Sequence, residues 1–90
     1  MNEVRRVLLE RTHTHGNFGE HSMTAQSLKD AMRISKNWNS LTSVQRESME
    51  MIAHKIARIL NGNQNHKDHY IDILGYAQLA LDELKRTDMS

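Results

Sequence analysis

No proline interrupts this chain, and the residues that dominate it favour helices. Proline removes a backbone donor and clashes with the preceding helical turn, so its complete absence leaves long helices as the default. Met, Leu, Ala, Gln, Glu, Lys and Arg are frequent, and all have high helix propensity. No window alternates apolar and polar residues over several positions, which a half-buried strand requires. The expected fold class is all-α: one small four-helix domain over residues 1–90.

A chain this short buries only ~60–65% of the surface its unfolded form exposes. It has no cysteine, so neither disulfides nor thiolate metal sites can add stability. Self-association is the usual remedy, and a homodimer or higher homo-oligomer is expected. The lack of cysteine also fits a reducing, cytoplasmic setting. The net charge is +1, with both signs interspersed. That pattern argues against nucleic acid as a partner, because a nucleic-acid binder normally carries a basic stripe or patch. No apolar run approaches the ~20 residues of a membrane span. Glu3, Arg5, Arg6, Glu10 and Arg11 break up the first residues, so no secretory signal is expected there.

Apolar spacing and capping signals place the helices. The first is predicted from about Asn2 to Glu10, with Val4, Val7 and Leu8 on one side. Thr12 to Ser22 holds two glycines and many small polar residues and reads as a loop, anchored by Phe18. Ser22 or Thr24 would cap a second helix reaching about Lys36. Asn37-Trp38-Asn39-Ser40 breaks the pattern, with Trp38 either covering the end of the core or lying in an interface. Thr42 and Gln45 form a capping-box signature for the third helix, and Asn61-Gly62 stops it. Asn65 would cap the fourth helix, which runs to about Lys85 before Thr87 to Ser90 fray. The short turn between helices three and four implies an antiparallel hairpin.

Several constellations carry chemistry. Glu47, Glu50, His54 and Arg58 are three, four and four residues apart and share one face of the third helix. They read either as a solvated face with Glu50 and His54 paired, or as part of a site. Asp68 and Asp72 lie early in the fourth helix. Asp68 is favoured there by the helix dipole, whereas Asp72 stands between Ile71 and Ile73 and needs a partner. A structural Arg58–Asp72 or Arg58–Asp68 ion pair is one reading, and a functional site the other. Gly75 in mid-helix costs ~1 kcal/mol relative to alanine, which close helix packing or a ligand would offset. Tyr76 beside it offers a hydroxyl or a stacking face. His13, His15 and His21 suggest a metal site, a phosphate contact or acid–base groups; the alternative is a polar surface loop.

The segment from Glu50 to Leu60, with Lys55 and Arg58, precedes Asp68-His69-Tyr70-Ile71-Asp72-Ile73-Leu74-Gly75-Tyr76-Ala77. Together with His15 to Phe18 and Trp38, these residues resemble a family of uncharacterised small helical proteins of phages and prophages. More distantly, the chain is similar to MazG-type all-α nucleoside triphosphate pyrophosphatases, which hold Mg²⁺ with carboxylates from two neighbouring helices. Their pattern is Glu-Glu-x-x-Glu on one helix and Glu-x-x-Asp on the next. Glu47 and Glu50 match the second and third glutamates of the first motif, and Asp72 the final aspartate of the second. Arg46 and His69 occupy the two remaining positions, with Asp68 one residue from the latter. The resemblance implies an Mg²⁺ site of Glu47, Glu50, Asp68 and Asp72. His15, His54, Lys55, Arg58 and Tyr76 are the expected ligand-binding residues.

The leading expectation is nucleotide binding, or Mg²⁺-dependent nucleotide pyrophosphatase-like chemistry. The alternative is a non-enzymatic interaction module that assembles with itself or a host protein through Trp38, Met23, Met32 and Met49. A histidine-based metal domain is a third.

Overall fold

The computed structural model describes residues 2–89, and the helices begin where side chains can satisfy free backbone N–H groups. Asn2 accepts from the Arg5 amide at 2.8 Å and opens α1, Glu3–His15. Asn17 accepts from the Glu20 amide at 3.1 Å and opens α2, Phe18–Arg33. Thr42 and Gln45 exchange side-chain and backbone hydrogen bonds at 3.1 and 2.9 Å, the expected capping box, and open α3, Ser43–Asn61. The fourth helix, α4, covers Lys67–Met89. A short 3₁₀ turn, Trp38–Ser40, links α2 to α3. Arg46 holds this turn, donating to the Trp38 and Asn39 carbonyls at 3.2 and 2.8 Å with its guanidinium 6.0 Å from the indole centroid.

The expected all-α class and the hairpin of α3 and α4 are present, but several boundaries move. The histidine-rich stretch is not a loop. α1 continues through Thr12, His13 and Thr14 to His15, and α2 begins at Phe18 rather than after Ser22 or Thr24. Only Gly16 and Asn17 separate the two helices. Gly16 takes φ 81°, a left-handed backbone that ends α1, and Asn17 then caps α2. α2 stops at Arg33, short of Lys36. Asn65 does not cap α4; its amide instead donates to the Asn63 side chain at 3.0 Å. α4 remains helical through Met89 rather than ending near Lys85, while Ser90 lies outside the described residues. Phe18 is no anchor either: it is 78% exposed.

α3 is the central element, packing against α2 on one side and α4 on the other. Lys55 reaches α4, whereas Ala53, two residues earlier and roughly 200° around the helix, lines a groove shared with Leu28 and Met32 of α2. α4 runs antiparallel to α3, tied near the far end by a Thr42–Glu83 hydrogen bond of 3.2 Å. The three helices therefore form one layer, not a closed bundle. α1 joins only through its C-terminal end and has no buried residue. The molecule measures 54 × 26 × 24 Å, with a radius of gyration of 15.5 Å against ~12 Å for a compact chain of this length. Its buried apolar residues are Ala25, Ala53 and Ala57 alone among the described residues.

Candidate functional site

Backbones meet without intervening side chains where the α1–α2 corner touches the α3–α4 turn. A Cβ on Gly16 would collide with the Asn61 carbonyl, and one on Gly62 would lie 2.6 Å from the Thr14 carbonyl oxygen. Those two glycines let Thr14 accept from the Asn63 amide at 3.1 Å, with the His69 ring Nε2 3.4 Å from the same oxygen. Asn61 adds a side-chain hydrogen bond to Thr24 at 3.0 Å. The contact fixes the C-terminal end of α1 beside α2 and α3.

A cavity of about 310 Å³ opens at this junction, lined by Leu8, Arg11, Thr12 and His15 of α1, Gly16 of the corner, Phe18 and His21 of α2, and His54 and Arg58 of α3. α1 delivers its part because Leu8, Arg11, Thr12 and His15 recur at three- and four-residue spacing along one face. The His21 and His54 rings meet edge to face with centroids 4.5 Å apart, and Phe18 stacks near His21 at 6.0 Å. On the other side His15 lies 5.3 Å from His69, which lies 4.7 Å from His66.

The electrostatics of the cavity are one-sided. Its lining holds Arg11 and Arg58 and no carboxylate. Arg58 forms no ion pair among the described residues. Burial and then the neighbouring Arg11 lower its pKa, while Asp72 opposes them from longer range. Burial, followed by the Arg58 charge, lowers His15 and His54 to about 4 and also lowers His21. His69 falls mainly through burial, opposed by its hydrogen bond to Thr14. These imidazoles are therefore neutral near pH 7, each with one N–H donor and one acceptor nitrogen. His21 is 5% exposed, and its Nδ1 is buried without a hydrogen-bond partner.

The site residues expected from the sequence divide. His15, His54 and Arg58 line the cavity. Lys55 does not: it is buried between α3 and α4 and pairs with Asp72 at 2.8 Å. That hydrogen-bonded pair, and not an Arg58 salt bridge, supports Asp72 and lowers its carboxyl pKa. Tyr76 lies with Ile71, Asp72, Gly75 and Leu79 on an outer groove of α4. Nothing comes within 4 Å of a Cβ built on Gly75, so close helix packing does not explain that glycine.

The four carboxylates are sent to separate places. Glu50 binds Arg33 of α2 at 3.0 Å rather than pairing with His54, Asp68 faces His66 at 3.7 Å, Asp72 holds Lys55, and Glu47 is exposed. Among the described residues no group of three or more His, Asp or Glu side chains is placed to hold a metal ion. Neither the Glu47, Glu50, Asp68 and Asp72 set nor His13, His15 and His21 forms such a cradle within one copy.

Leu8, Arg11 and Phe18 belong to the cavity, although the sequence pattern marks neither Leu8 nor Arg11 for a ligand and suggests an anchoring role for Phe18. The signal is the spacing Leu8, Arg11, Thr12, His15, visible only when α1 is read through to His15.

No helix among the described residues is long and apolar enough to cross a membrane. Residues 1–83 match the family described as Domain of unknown function (DUF6378), and the chain belongs to that family. No curated protein and no solved structure matches it.

Proposed function

We propose that this member of the DUF6378 family binds a small phosphate-bearing ligand, in the first instance a nucleotide, in the cavity between α1, α2 and α3. One observation carries the reading. Two guanidinium groups flank a cavity that contains no carboxylate, beside a buried histidine nitrogen with no partner. Arg58 is partly desolvated and faces the like charge of the exposed Arg11, which is costly, and an anion beside them lowers that cost. Guanidinium groups suit phosphate oxygens, which they bind in a bidentate fashion. The neutral imidazoles of His15, His21 and His54 add N–H donors without further repulsion.

Leu8 and the exposed Phe18 ring supply an apolar edge on which a base can rest. The volume of about 310 Å³ falls at the small end of ligand sites, so the phosphates go inside and the base to the rim. The distant similarity to MazG-type pyrophosphatases points to the same ligand class, and the similarity to phage and prophage proteins suggests the setting. Binding is the activity assigned, because the cavity offers guanidinium and imidazole N–H donors to phosphate oxygens.

Calorimetric titration with inorganic pyrophosphate, a purine nucleoside triphosphate and the uncharged nucleoside tests this, with and without Mg²⁺. The phosphorylated compounds should bind and the nucleoside should not. Arg58→Ala and Arg11→Ala should each weaken binding by about tenfold or more, which is ~1.4 kcal/mol. Absence of binding at millimolar pyrophosphate, or affinity indifferent to both substitutions, would sink the reading.

A further inference from the structure

We propose that a second copy of this chain packs against the open face of the α2–α3–α4 layer, making a two-layer homodimer. The apolar groove between α2 and α3 is lined by Leu28, Met32, Met49, Ile52 and Ile56. It leads past Ile59 and Leu60 to Tyr70 on α4. From Tyr70 an apolar stripe continues along α4 through Ile73, Ala77, Leu81 and Leu84, at intervals of three and four residues. Within it Tyr70, Leu81 and Leu84 are 47, 44 and 48% exposed. None of these residues carries a charge.

Surface area identifies the occupant. The chain exposes 6821 Å², whereas a folded monomer of its 10.4 kDa exposes about 5,400 Å². The excess, about 1,400 Å², matches the ~1,000–2,500 Å² each partner contributes to an obligate dimer. A stable domain needs two packed layers around an apolar core. This chain supplies one, with three alanines as its buried apolar residues among those described. The missing layer must be present whenever the chain folds, and its own copies always are. A two-fold contact also requires a patch that tolerates itself, and an uncharged apolar face meets that condition without repulsion. Ile56 and His54 point roughly 200° apart on α3, so the arginine–histidine cavity stays open on the other side of the dimer. The two proposals therefore stand or fall separately.

Sedimentation equilibrium of the full chain should give twice the 10.4 kDa mass at micromolar concentration. The melting temperature should rise with protein concentration, because dissociation and unfolding are coupled. Leu81→Glu and Met49→Glu should each weaken association by at least tenfold, seen as dissociation or as unfolding at a concentration where the native chain is dimeric. Leu79→Glu, on the other side of α4, should leave the mass unchanged. A helical monomer at tens of micromolar overturns the proposal. So does a melting temperature independent of concentration, or a dimer indifferent to both Leu81→Glu and Met49→Glu.

Discussion

The face of the helical layer that meets α1 and the face turned away from it are both incomplete, for opposite physical reasons. On the α1 side, polar groups have lost water without gaining partners. Arg58 is desolvated without an ion pair among the described residues, and His21 keeps a buried nitrogen unsatisfied. On the far side, apolar groups keep water they would shed, with Met49 45% and Leu81 44% exposed. On the two proposals above, an anion would satisfy the first and an apolar surface would cover the second. Openness alone therefore does not define a site: the chemistry of what is left unsatisfied says what fits.

The largest effect should come from breaking the α1 side at its hinge. Gly16→Ala forces a β-carbon into the Asn61 carbonyl and a side chain onto a φ of 81°. Its cost should be about 3 kcal/mol or more in urea denaturation, with loss of the cavity. A loss below ~1 kcal/mol would mean that the corner relaxes freely and does not set the site.

Acid comes next, and it should distinguish the faces. His15 and His54 are lowered to about 4 in the folded chain against 6.5 ordinarily, so the unfolded chain takes up protons first. Their stabilising contribution is complete above about pH 6.5 and is lost as the pH falls toward 4. Discounted for solvent screening, the loss should be on the order of 2 kcal/mol, read from urea midpoints. His54→Gln should flatten that dependence. The residues of the apolar face carry no group that titrates in this range, so a non-ionisable substitution there, such as Leu81→Ala, should leave the acid-sensitive slope in place.

Gly75→Ala should stabilise the chain by ~1 kcal/mol, because nothing fills the space beside Gly75 and alanine favours the helix. Destabilisation would show that Gly75 makes a close contact in the assembled protein. The smallest expected change in stability belongs to Phe18→Ala, within about 0.5 kcal/mol for so exposed a side chain. Nucleotide affinity should nevertheless fall while pyrophosphate affinity holds. Equal losses for both would remove Phe18 from the base-binding role.

Legibility depends on the range of the forces. Thr42 and Gln45 announce α3 because a capping box is completed within one turn. Asn61-Gly62 announces its end for a similar local reason. The end of α1 is not legible in this way. Thr12-His13-Thr14-His15 has weak helix propensity, and Asn63 and His69 contact its Thr14 carbonyl from the α3–α4 turn. Reading those residues as a loop hides the helical spacing that brings Arg11 toward Arg58. The cavity is thus half legible: His15, His54 and Arg58 are chemically conspicuous, while Leu8 and Arg11 matter only through where α1 ends.

By itself the sequence determined the helical class, the α3 cap and stop, the α3–α4 hairpin and a shortage of core. Each of these is set by propensity, local hydrogen bonds or length. Tertiary structure alone decided that Lys55, not Arg58, holds Asp72, that Glu50 turns to Arg33, and that the backbones of Gly16 and Gly62 meet. Charges attract at similar strength along many candidate pairings, so composition cannot choose among them. The choice falls to helix rotation and crossing, which packing sets for the layer as a whole.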